Sequence, residues 1–538
     1  MSTSNMFFNQ FYKSFETDNI DTSLISIPFD NAKFGILTFN AVSCNITSQG
    51  QEFVFVIDRS GSMSDRCSDG RTKMQHITHT LKNMILYFHE NSIQNLYVTV
   101  FAFDDIFVPI LNRKQINYGN LQEILISIDD IHPNGSTNIE LALKKTNEYI
   151  SQLKIDNPQH NISHIFMTDG DATIGSKDPT ILRSLVDTNV ENAFIGFGIN
   201  HDALLLNHIS SDKNNSYHFI DALEKAGLVY GEILHGILYK YLTDTEITIE
   251  NGLVYDFVTN NWVNKLFIGN IVGEANKTYH IISNNPDNCN IILTCKNLDE
   301  EYSFQANELI NAETKHTKYM YRQRTLELLF EVSQLQKNKI EEQKFVPSMS
   351  FKKKSNNSDE SNLKLNLIKE EERELKQKLH LFFDEIKKYM ADNNLNDDSF
   401  LKNLCDDIYI SHRTLGTRYG NMYSTARQAS QGTQRCYTVS HTPEEEGEFG
   451  FTSKTVLKMP RLFRQTVAFH TPNLFEDLDL DDIDNYRLQH PDDIIHNISN
   501  FDEAPYLTPT ATRLMRDVSA SHNYEVFSYD KEEESQAI

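Results

Sequence analysis

The chain has 538 residues, of which 39% are hydrophobic and 11% aromatic, and its formal net charge is -25 at pH 7. This length exceeds what a single hydrophobic core usually holds, so we expect two or three folded units. A surface this acidic repels phosphate backbones and anionic lipid, which disfavours nucleic-acid binding and membrane-surface binding.

The N-terminus and the cysteines indicate where the protein acts. Met1–Phe8 lacks the basic region and long apolar run of a signal peptide. No stretch reaches the roughly 18 apolar residues that a membrane-spanning helix needs. The six cysteines are scattered without paired CxxC spacing, which favours reduced thiols. We therefore expect a cytoplasmic protein without membrane insertion.

Residues 1–50 contain two runs with β character, near Leu24–Pro28 and Phe34–Thr47. The alternation within the second run predicts an antiparallel strand with one face in water. Both runs lie before residue 51, where a different pattern of strands and helices begins. We therefore expect them in a separate sheet, as a candidate part of a β-sandwich with later strands.

Strand and helix patterns alternate over residues 51–242. The run Phe53–Ile57 is apolar throughout, which is typical of a strand buried on both faces of a parallel sheet. Further patterns predict strands at 97–103, 106–111, 164–167 and 193–199, and helices at 74–88, 121–128, 139–153, 178–186 and 221–241. This alternation predicts an α/β domain with a doubly wound parallel sheet.

The hydrophobic period changes after residue 242. Residues 243–307 alternate and carry turn signals, which predicts an antiparallel β unit. Residues 308–412 have helical spacing, interrupted by a polar, lysine-containing linker at 344–361. Residues 413–538 are polar and acidic with sparse aromatic side chains, which predicts a mostly disordered tail.

Three oxygen-bearing side chains directly follow the first buried strand, in the pattern Asp58-x-Ser60-x-Ser62. Ligands bind open α/β sheets outside the carboxyl ends of the strands, which is where these side chains would lie. Hard oxygen donors without Cys or His suit Mg²⁺, with Mn²⁺ or Ca²⁺ next. The same residue types also build strand-to-helix turns and helix caps, so this stretch alone leaves both interpretations open.

Two later loops add oxygen donors at the same edge of the sheet. Thr137 lies in Gly-Ser-Thr-Asn before a predicted helix, and Asp169 lies in Thr-Asp-Gly after a predicted strand. Together with Asp58, Ser60 and Ser62, these residues resemble the metal-ion-dependent adhesion site of the von Willebrand factor A domain family. The resemblance covers about residues 51–242, with all five positions in the expected order.

The resemblance implies a role for each residue. Ser60 and Ser62 would bind the metal through their hydroxyls, while Asp58 and Asp169 would hold metal-bound waters. Thr137 would bind directly in one loop arrangement and through water in another. The open position of an octahedral Mg²⁺ would then take an Asp or Glu side chain of a partner protein. The implied function is Mg²⁺-dependent protein–protein interaction.

A finer resemblance involves the end of the same region. The runs Gly196–Asp202, Tyr217–Asp221 and Gly227–Ile233 are similar to intracellular von Willebrand A proteins of plants, protists and large DNA viruses. Some of those relatives carry a RING zinc domain and act as ubiquitin ligases, but the Cys/His spacing of a RING is missing from this sequence. The alternative functions are an adaptor or scaffold subunit of a ubiquitin-ligase-like or other assembly, and a viral structural protein.

Catalysis is not expected from this sequence. No histidine is predicted on a sheet-edge loop that matches Ser60 and Ser62, and no P-loop, dinucleotide fingerprint or zinc motif occurs. We therefore predict a binding protein and not an enzyme.

Several charged residues near the motif have ordinary explanations. We expect Arg59 to be exposed, Asp171 to be a solvated loop residue and His164 to be structural. Asp104 and Asp105 end a predicted strand at the same sheet edge and are candidates for the rim of the site. In the tail, the acidic segment Glu476–Asp484 could offer its own carboxylate to the metal.

Overall fold

The computed structural model describes residues 4–16, 25–26, 28, 32–46, 49–67, 70–198, 201–220, 226–298, 300–308, 316–345, 358–435 and 506–519. The described strands are β1 (Phe8–Phe15), β2 (Lys33–Ala41), β3 (Gln51–Asp58), β4 (Leu96–Phe103), β5 (Phe107–Gln115), β6 (Asn161–Thr168), β7 (Glu191–Phe197), β8 (Asn215–Ile220), β9 (Lys240–Glu250), β10 (Leu253–Asp256), β11 (Asn261–Val263), β12 (Lys265–Val272), β13 (Asn276–Ser283), β14 (Asn290–Asn297), β15 (Glu300–Gln305) and β16 (Asn307–Glu308).

The described helices are α1 (Ser4–Phe7), α2 (Lys73–Glu90), α3 (Leu121–Asp129), α4 (Ile139–Asp156), α5 (Pro179–Ser184), α6 (Ala203–Ile209), α7 (Ala226–Leu238), α8 (His316–Phe345), α9 (Ser358–Asp392), α10 (Ser399–Thr414), α11 (Arg418–Thr433) and α12 (Pro509–Ser519). Of the helices in the ranges above, none combines the length and the apolar character that crossing a bilayer requires.

The chain forms two compact units. The α/β unit comprises the described residues of Asn45–His201, His208–Tyr239 and Pro509–Ile538. Its six strands lie in the order β5-β4-β3-β6-β7-β8, and neighbours are parallel except for β4 and β5. The predicted α/β fold is therefore confirmed, with one antiparallel edge strand. The reversal follows from the short β4–β5 connection, because a parallel neighbour needs a crossover of a dozen or more residues.

Helices cover both faces of this sheet because β3 is apolar on both faces. Every residue of β3 is buried. Phe53 packs against Phe88 of α2, with ring centroids 5.0 Å apart. On β4, Thr99 pairs in register with the β3 residue that follows Phe53, so it faces the opposite side. There its hydroxyl lies 2.8 Å from the hydroxyl of Tyr149 on α4. The sheet is therefore wound on both sides.

The β-sandwich unit comprises the described residues of Met1–Cys44, Asp202–Asn207 and Lys240–Thr508. Its sheets have the orders β11-β10-β13-β2-β1-β16 and β12-β9-β14-β15, with all neighbours antiparallel except β1 and β16. Phe39, Ile247 and Leu293 belong to one buried core, which both sheets line. Strands from 1–50 and 243–307 thus share one sheet, through the pairing of β2 with β13.

The C-terminal helices of this unit cover the outer face of the larger sheet. Ile36 and Ile282 on that face share a buried cluster with Leu328 of α8, Leu379 of α9 and Leu404 of α10. Because successive strand residues point to opposite faces, β2 is buried on both sides. The unit therefore has three layers, two of strands and one of helices.

The N-terminal region differs from the prediction. The described residues Ile25, Ser26 and Pro28 are not in a strand, whereas Phe8–Phe15, which the pattern did not single out, forms β1. A register shift between Phe8 and Gln10 interrupts the pairing of β1 with β2. Such a bulge breaks the two-residue period on which strand prediction depends.

The tail prediction also differs from the structure in two places. Residues 418–433 and 509–519, which the composition assigned to a disordered tail, form α11 and α12. Residues 436–505 and 520–538 lie outside the described residues, as do Glu476–Asp484 and the capping pattern at 221–224.

Helix α11 is polar in sequence yet buried, because distant partners satisfy its polar groups. The Arg427 guanidinium is 1% exposed and forms an ion pair with Asp407 of α10, which also accepts from Gln431 at 2.9 Å. Gln428 donates to the carbonyl of Phe257 at 2.9 Å. Buried polar side chains are tolerated when they are hydrogen-bonded, and local composition does not reveal such partners.

The ion pair gives a stability prediction. We expect Arg427→Met to lower the free energy of unfolding of the β-sandwich unit by about 3–5 kcal/mol, because Asp407 would stay buried without its cationic partner. The measurement is a urea titration followed by the fluorescence of Trp262, the only tryptophan of the chain. As a control, Arg373→Met, at a side chain that is 75% exposed, should change it by less than about 0.5 kcal/mol. Equal effects of the two substitutions would contradict the prediction.

Candidate functional site

Asp58 is the last residue of the buried strand β3, and its carboxylate is fully buried. It accepts hydrogen bonds from the amide of Ser60 at 2.8 Å and from the hydroxyl of Thr168, at the end of β6, at 2.6 Å. Burial raises the pKa of Asp58 to about 6; the charge of Asp169 adds to the rise, and the Thr168 hydrogen bond opposes it. The site thus begins with a carboxylate that is held by neutral donors.

The two serines connect Asp58 to the neighbouring strand end. The hydroxyls of Ser60 and Ser62 lie 3.1 Å apart, and that of Ser62 donates to Asp169 at 2.8 Å. The carboxylates of Asp58 and Asp169 are both fully buried, at the ends of the adjacent parallel strands β3 and β6. The first and third of the predicted loops are therefore in direct contact.

Thr137 comes from the loop before α4, and its side chain faces the same point. A Cβ atom added at Gly170 would lie 3.8 Å from the Thr137 hydroxyl and 3.9 Å from the Ser62 hydroxyl, so both hydroxyls point towards Gly170. The amide of Thr137 donates to Thr173 at 2.8 Å, which fixes this loop to the one that follows β6. The amide of Gly61 also donates to the carbonyl of Gly135 at 3.1 Å. The structure thus brings the five predicted residues together.

Lys73, which the sequence motif does not include, adds a cation to this site. Its ammonium lies 2.6 Å from Oδ2 of Asp169, the oxygen that Ser62 does not contact, and 3.4 Å from Asp65, and its side chain is 13% exposed. Burial alone would lower the pKa of Lys73, but the two carboxylates outweigh burial and raise it. The signal was present in the sequence. Thr72 and Gln75 form a capping box, so Lys73 begins α2, where the helix dipole disfavours a positive charge.

The expectation that Arg59 is exposed is wrong. Its side chain is 16% exposed and forms an ion pair of 2.9 Å with Asp104, whose carboxylate is fully buried. The carbonyl of Arg59 accepts from the amide of Asn134 at 2.6 Å, and that of Asp104 accepts from Asn138 at 3.0 Å. Arg59 and Asp104 therefore fasten the loop that carries Thr137, and neither faces outward at a rim.

His164 is buried away from the oxygen ligands. Its ring Nδ1 lies 2.8 Å from the side-chain oxygen of Asn192, and burial lowers the pKa of the imidazole to about 4. A neutral imidazole held in this way packs within the sheet.

The donor set suits a hard cation. Within the described residues, no three His, Cys, Asp or Glu side chains converge as a metal-binding cluster. The site instead combines two carboxylates with three hydroxyls, and oxygen donors of this kind fit Mg²⁺ or a similar ion. The close approach of Lys73 to Asp169 is a second indication, because the carboxylates already attract a cation from the chain itself. The residues present are therefore compatible with the implied metal.

Comparison with family models gives a match over about a third of the chain. The model of the von Willebrand factor type A domain matches residues 52–229. A search of curated proteins found no significant match. Similar solved structures include a von Willebrand factor type A protein from Catenulispora acidiphila, with 16% identity, a TM-score of 0.41, and coverage of 62% of this chain and 83% of that one.

Two further solved structures show the range of the likeness. The ArnB paralog VWA2 from Sulfolobus acidocaldarius has 13% identity and a TM-score of 0.43, with coverage of 79% of this chain and 100% of that one. Proximal thread matrix protein 1 from the mussel byssus, with a zinc-occupied MIDAS motif, has 19% identity and a TM-score of 0.28, with coverage of 34% and 46%. The family model and the parallel sheet together identify residues 52–229 as a von Willebrand factor type A domain.

Proposed function

We propose that Asp58, Ser60, Ser62, Thr137 and Asp169 form a Mg²⁺-dependent site through which the protein binds an Asp or Glu side chain of a partner protein. Domains of this type are commonly protein-interaction modules. The observation that carries the proposal is the contact of Ser62 with Asp169, at 2.8 Å, across two adjacent strand ends. It joins the hydroxyl pair to the buried carboxylates at one edge of the sheet.

Each residue has a distinct task in this proposal. Ser60, Ser62 and Thr137 offer neutral oxygens, which bind a divalent ion without neutralising its charge. Asp58 and Asp169 supply the negative charge that holds the ion, and Mn²⁺ or Ca²⁺ could replace Mg²⁺ there. When bound, the ion acts as the electrophile that a partner's carboxylate ligates.

A binding role is better supported than a catalytic one. Among the described residues, the hydroxyls of Ser60 and Ser62 have hydrogen-bond partners in each other and in Asp169, and no histidine is among them. A nucleophile would need such a base. We also infer an intracellular protein of the cytoplasm, supported by the buried thiols of Cys289, Cys295 and Cys405, which are not in disulfides.

The central test is cation binding and its loss. We expect isothermal titration calorimetry to detect Mg²⁺ binding to the full chain and to detect none in Asp58→Asn, because the substitution removes a buried charge of the site. Asp171→Asn, at an exposed residue of the loop that carries Asp169, is the matched control and should bind like the unmodified chain. Equal binding by the two variants would overturn the proposed site.

Partner binding separates the proposal from its alternatives. Proteins captured in Mg²⁺ should be released by EDTA and should not be captured by Asp58→Asn. Capture that is indifferent to both changes would instead favour the adaptor or scaffold function. Abundance of the protein in purified particles would favour a viral structural role.

The pH dependence of Mg²⁺ binding follows from the raised pKa of Asp58, which is about 6 against an ordinary 3.8. Below about pH 6 the metal competes with a proton, so affinity should fall up to about tenfold per pH unit and should level off above pH 7. The raised pKa of Asp58 also affects the folding stability of the metal-free α/β unit. Folding favours the protonated carboxyl, so this contribution to the free energy of unfolding is lost as the pH rises from 3.8 to about 6. Calorimetry between pH 5 and 7.5 measures the first effect, and a flat affinity would contradict it.

Lys73 should oppose the metal. We expect Lys73→Met to raise Mg²⁺ affinity by about tenfold or more, because the ammonium 2.6 Å from Asp169 is replaced by a neutral group of similar length. Lys82→Met is the control, since Lys82 lies on the same helix but pairs with Asp129. Calorimetry on both variants checks this, and weaker binding by Lys73→Met would show that the ammonium supports the site.

A further inference from the structure

The last described helix, α12, packs against α7 and α2 within the α/β unit. Its buried residues are Ala511, Leu514, Met515 and Val518, each fully excluded from solvent. The spacing i, i+3, i+4, i+7 places all four on one side of the helix. Arg513, Arg516 and Asp517 are exposed on the other side. The helix is thus amphipathic, and its apolar side is covered by two helices of the domain.

Helix α12 lies in a groove between α2 and α7, and two glycines on α7 form the floor of this groove. A Cβ atom at Gly231 would lie 2.5 Å from the Cα atom of Met515, and one at Gly227 would lie 2.7 Å from the Cα atom of Ser519. Both distances are to backbone atoms, which cannot move aside as the tip of a side chain can. The groove therefore admits the backbone of another helix only while these two positions lack side chains.

A polar contact fixes where α12 ends. The side-chain amide of Asn83, on α2, donates to the carbonyl of Val518 at 2.8 Å, and Asn83 is 1% exposed. The last carbonyls of a helix have no partner inside the helix, so this buried donor meets one of them. Together with the two glycines, it sets the register of the helix in the groove.

These contacts join segments that are far apart in the sequence. Asn83 and Val518 are separated by 435 positions. An isolated helix of this length is marginal in water, so the helical order of α12 depends on its neighbours. We propose that the groove between α2 and α7 is a helix-binding site and that Pro509–Ser519 is its resident, displaceable ligand, held in place by its tether to the chain.

The contacts define what the groove accepts. A ligand helix needs apolar residues at i, i+3, i+4 and i+7 and a carbonyl end within reach of Asn83. A helix that meets these conditions competes with Pro509–Ser519 for the same surface, as in other helix-in-groove interactions. The proposal does not involve Asp58 or the cation, so it stands or falls separately from the proposed metal function.

The test uses a fluorescein-labelled peptide of residues 506–519 and the full-length chain, in buffer with EDTA. In Leu514→Asp/Val518→Asp the resident helix is expelled, and fluorescence anisotropy should detect peptide binding. The unmodified chain should bind the peptide at least about tenfold more weakly, because the tethered helix competes at an effective concentration on the order of mM. A peptide that carries the same two substitutions should not bind.

A glycine pair on α7 supplies the matched control. Added to the double variant, Gly231→Ala should weaken peptide binding at least about tenfold, whereas Gly236→Ala, where a Cβ atom would meet nothing within 4 Å, should leave it unchanged. Failure of the peptide to bind a folded double variant would overturn the proposal. Loss of cooperative unfolding of the α/β unit in the double variant would also overturn it, by showing that α12 is an inseparable part of the core.

Discussion

The candidate site depends on two carboxylates buried side by side at the ends of adjacent parallel strands. Asp58 and Asp169 are both fully buried, and burial of a charge is costly unless donors or counter-charges compensate it. Asp58 accepts from an amide and from the Thr168 hydroxyl, which are neutral groups. Asp169 has the ammonium of Lys73. Burial, together with the charge of Asp169, raises the pKa of Asp58 above its ordinary value, and a cation at the site would relieve both effects.

The sequence allowed prediction of those parts of the site whose positions follow from strand order. Asp58 and Asp169 each follow a run of apolar residues, and parallel strands end at one edge of a sheet, so their proximity can be inferred from the sequence alone. The ion pair of Arg59 with Asp104 could not be inferred in this way, because it depends on the antiparallel turn between β4 and β5. Lys73 is an intermediate case. It places a positive charge in the first turn of a helix, which is unfavourable, and such exceptions often mark functional or strained positions.

The largest difference between the predicted and the observed fold is helix α11, which also depends on contacts between residues far apart in the sequence. Hydrophobic patterning detects segments that bury apolar surface, and it therefore identified the strand of Phe53–Ile57 and the helices around Leu329 and Leu379. Helix α11 buries Arg427, Gln428 and Gln431 instead, against partners that lie at least 20 positions away. Its composition alone resembles that of a solvated tail. Only the tertiary structure supplies the acceptors that make burial of such residues tolerable.

Lys73 has a second consequence for the proposed function, which follows from charge. With a divalent cation bound, the charges of Asp58 and Asp169 would cancel those of the ion, and a partner's carboxylate would meet a site that is neutral overall. The ammonium of Lys73, 2.6 Å from Asp169, leaves one positive charge in excess. In the proposed function, the residue that weakens the hold on the cation would therefore strengthen the attraction for an anionic ligand. Such a site would bind its metal loosely while it is alone and firmly when a partner's carboxylate completes it.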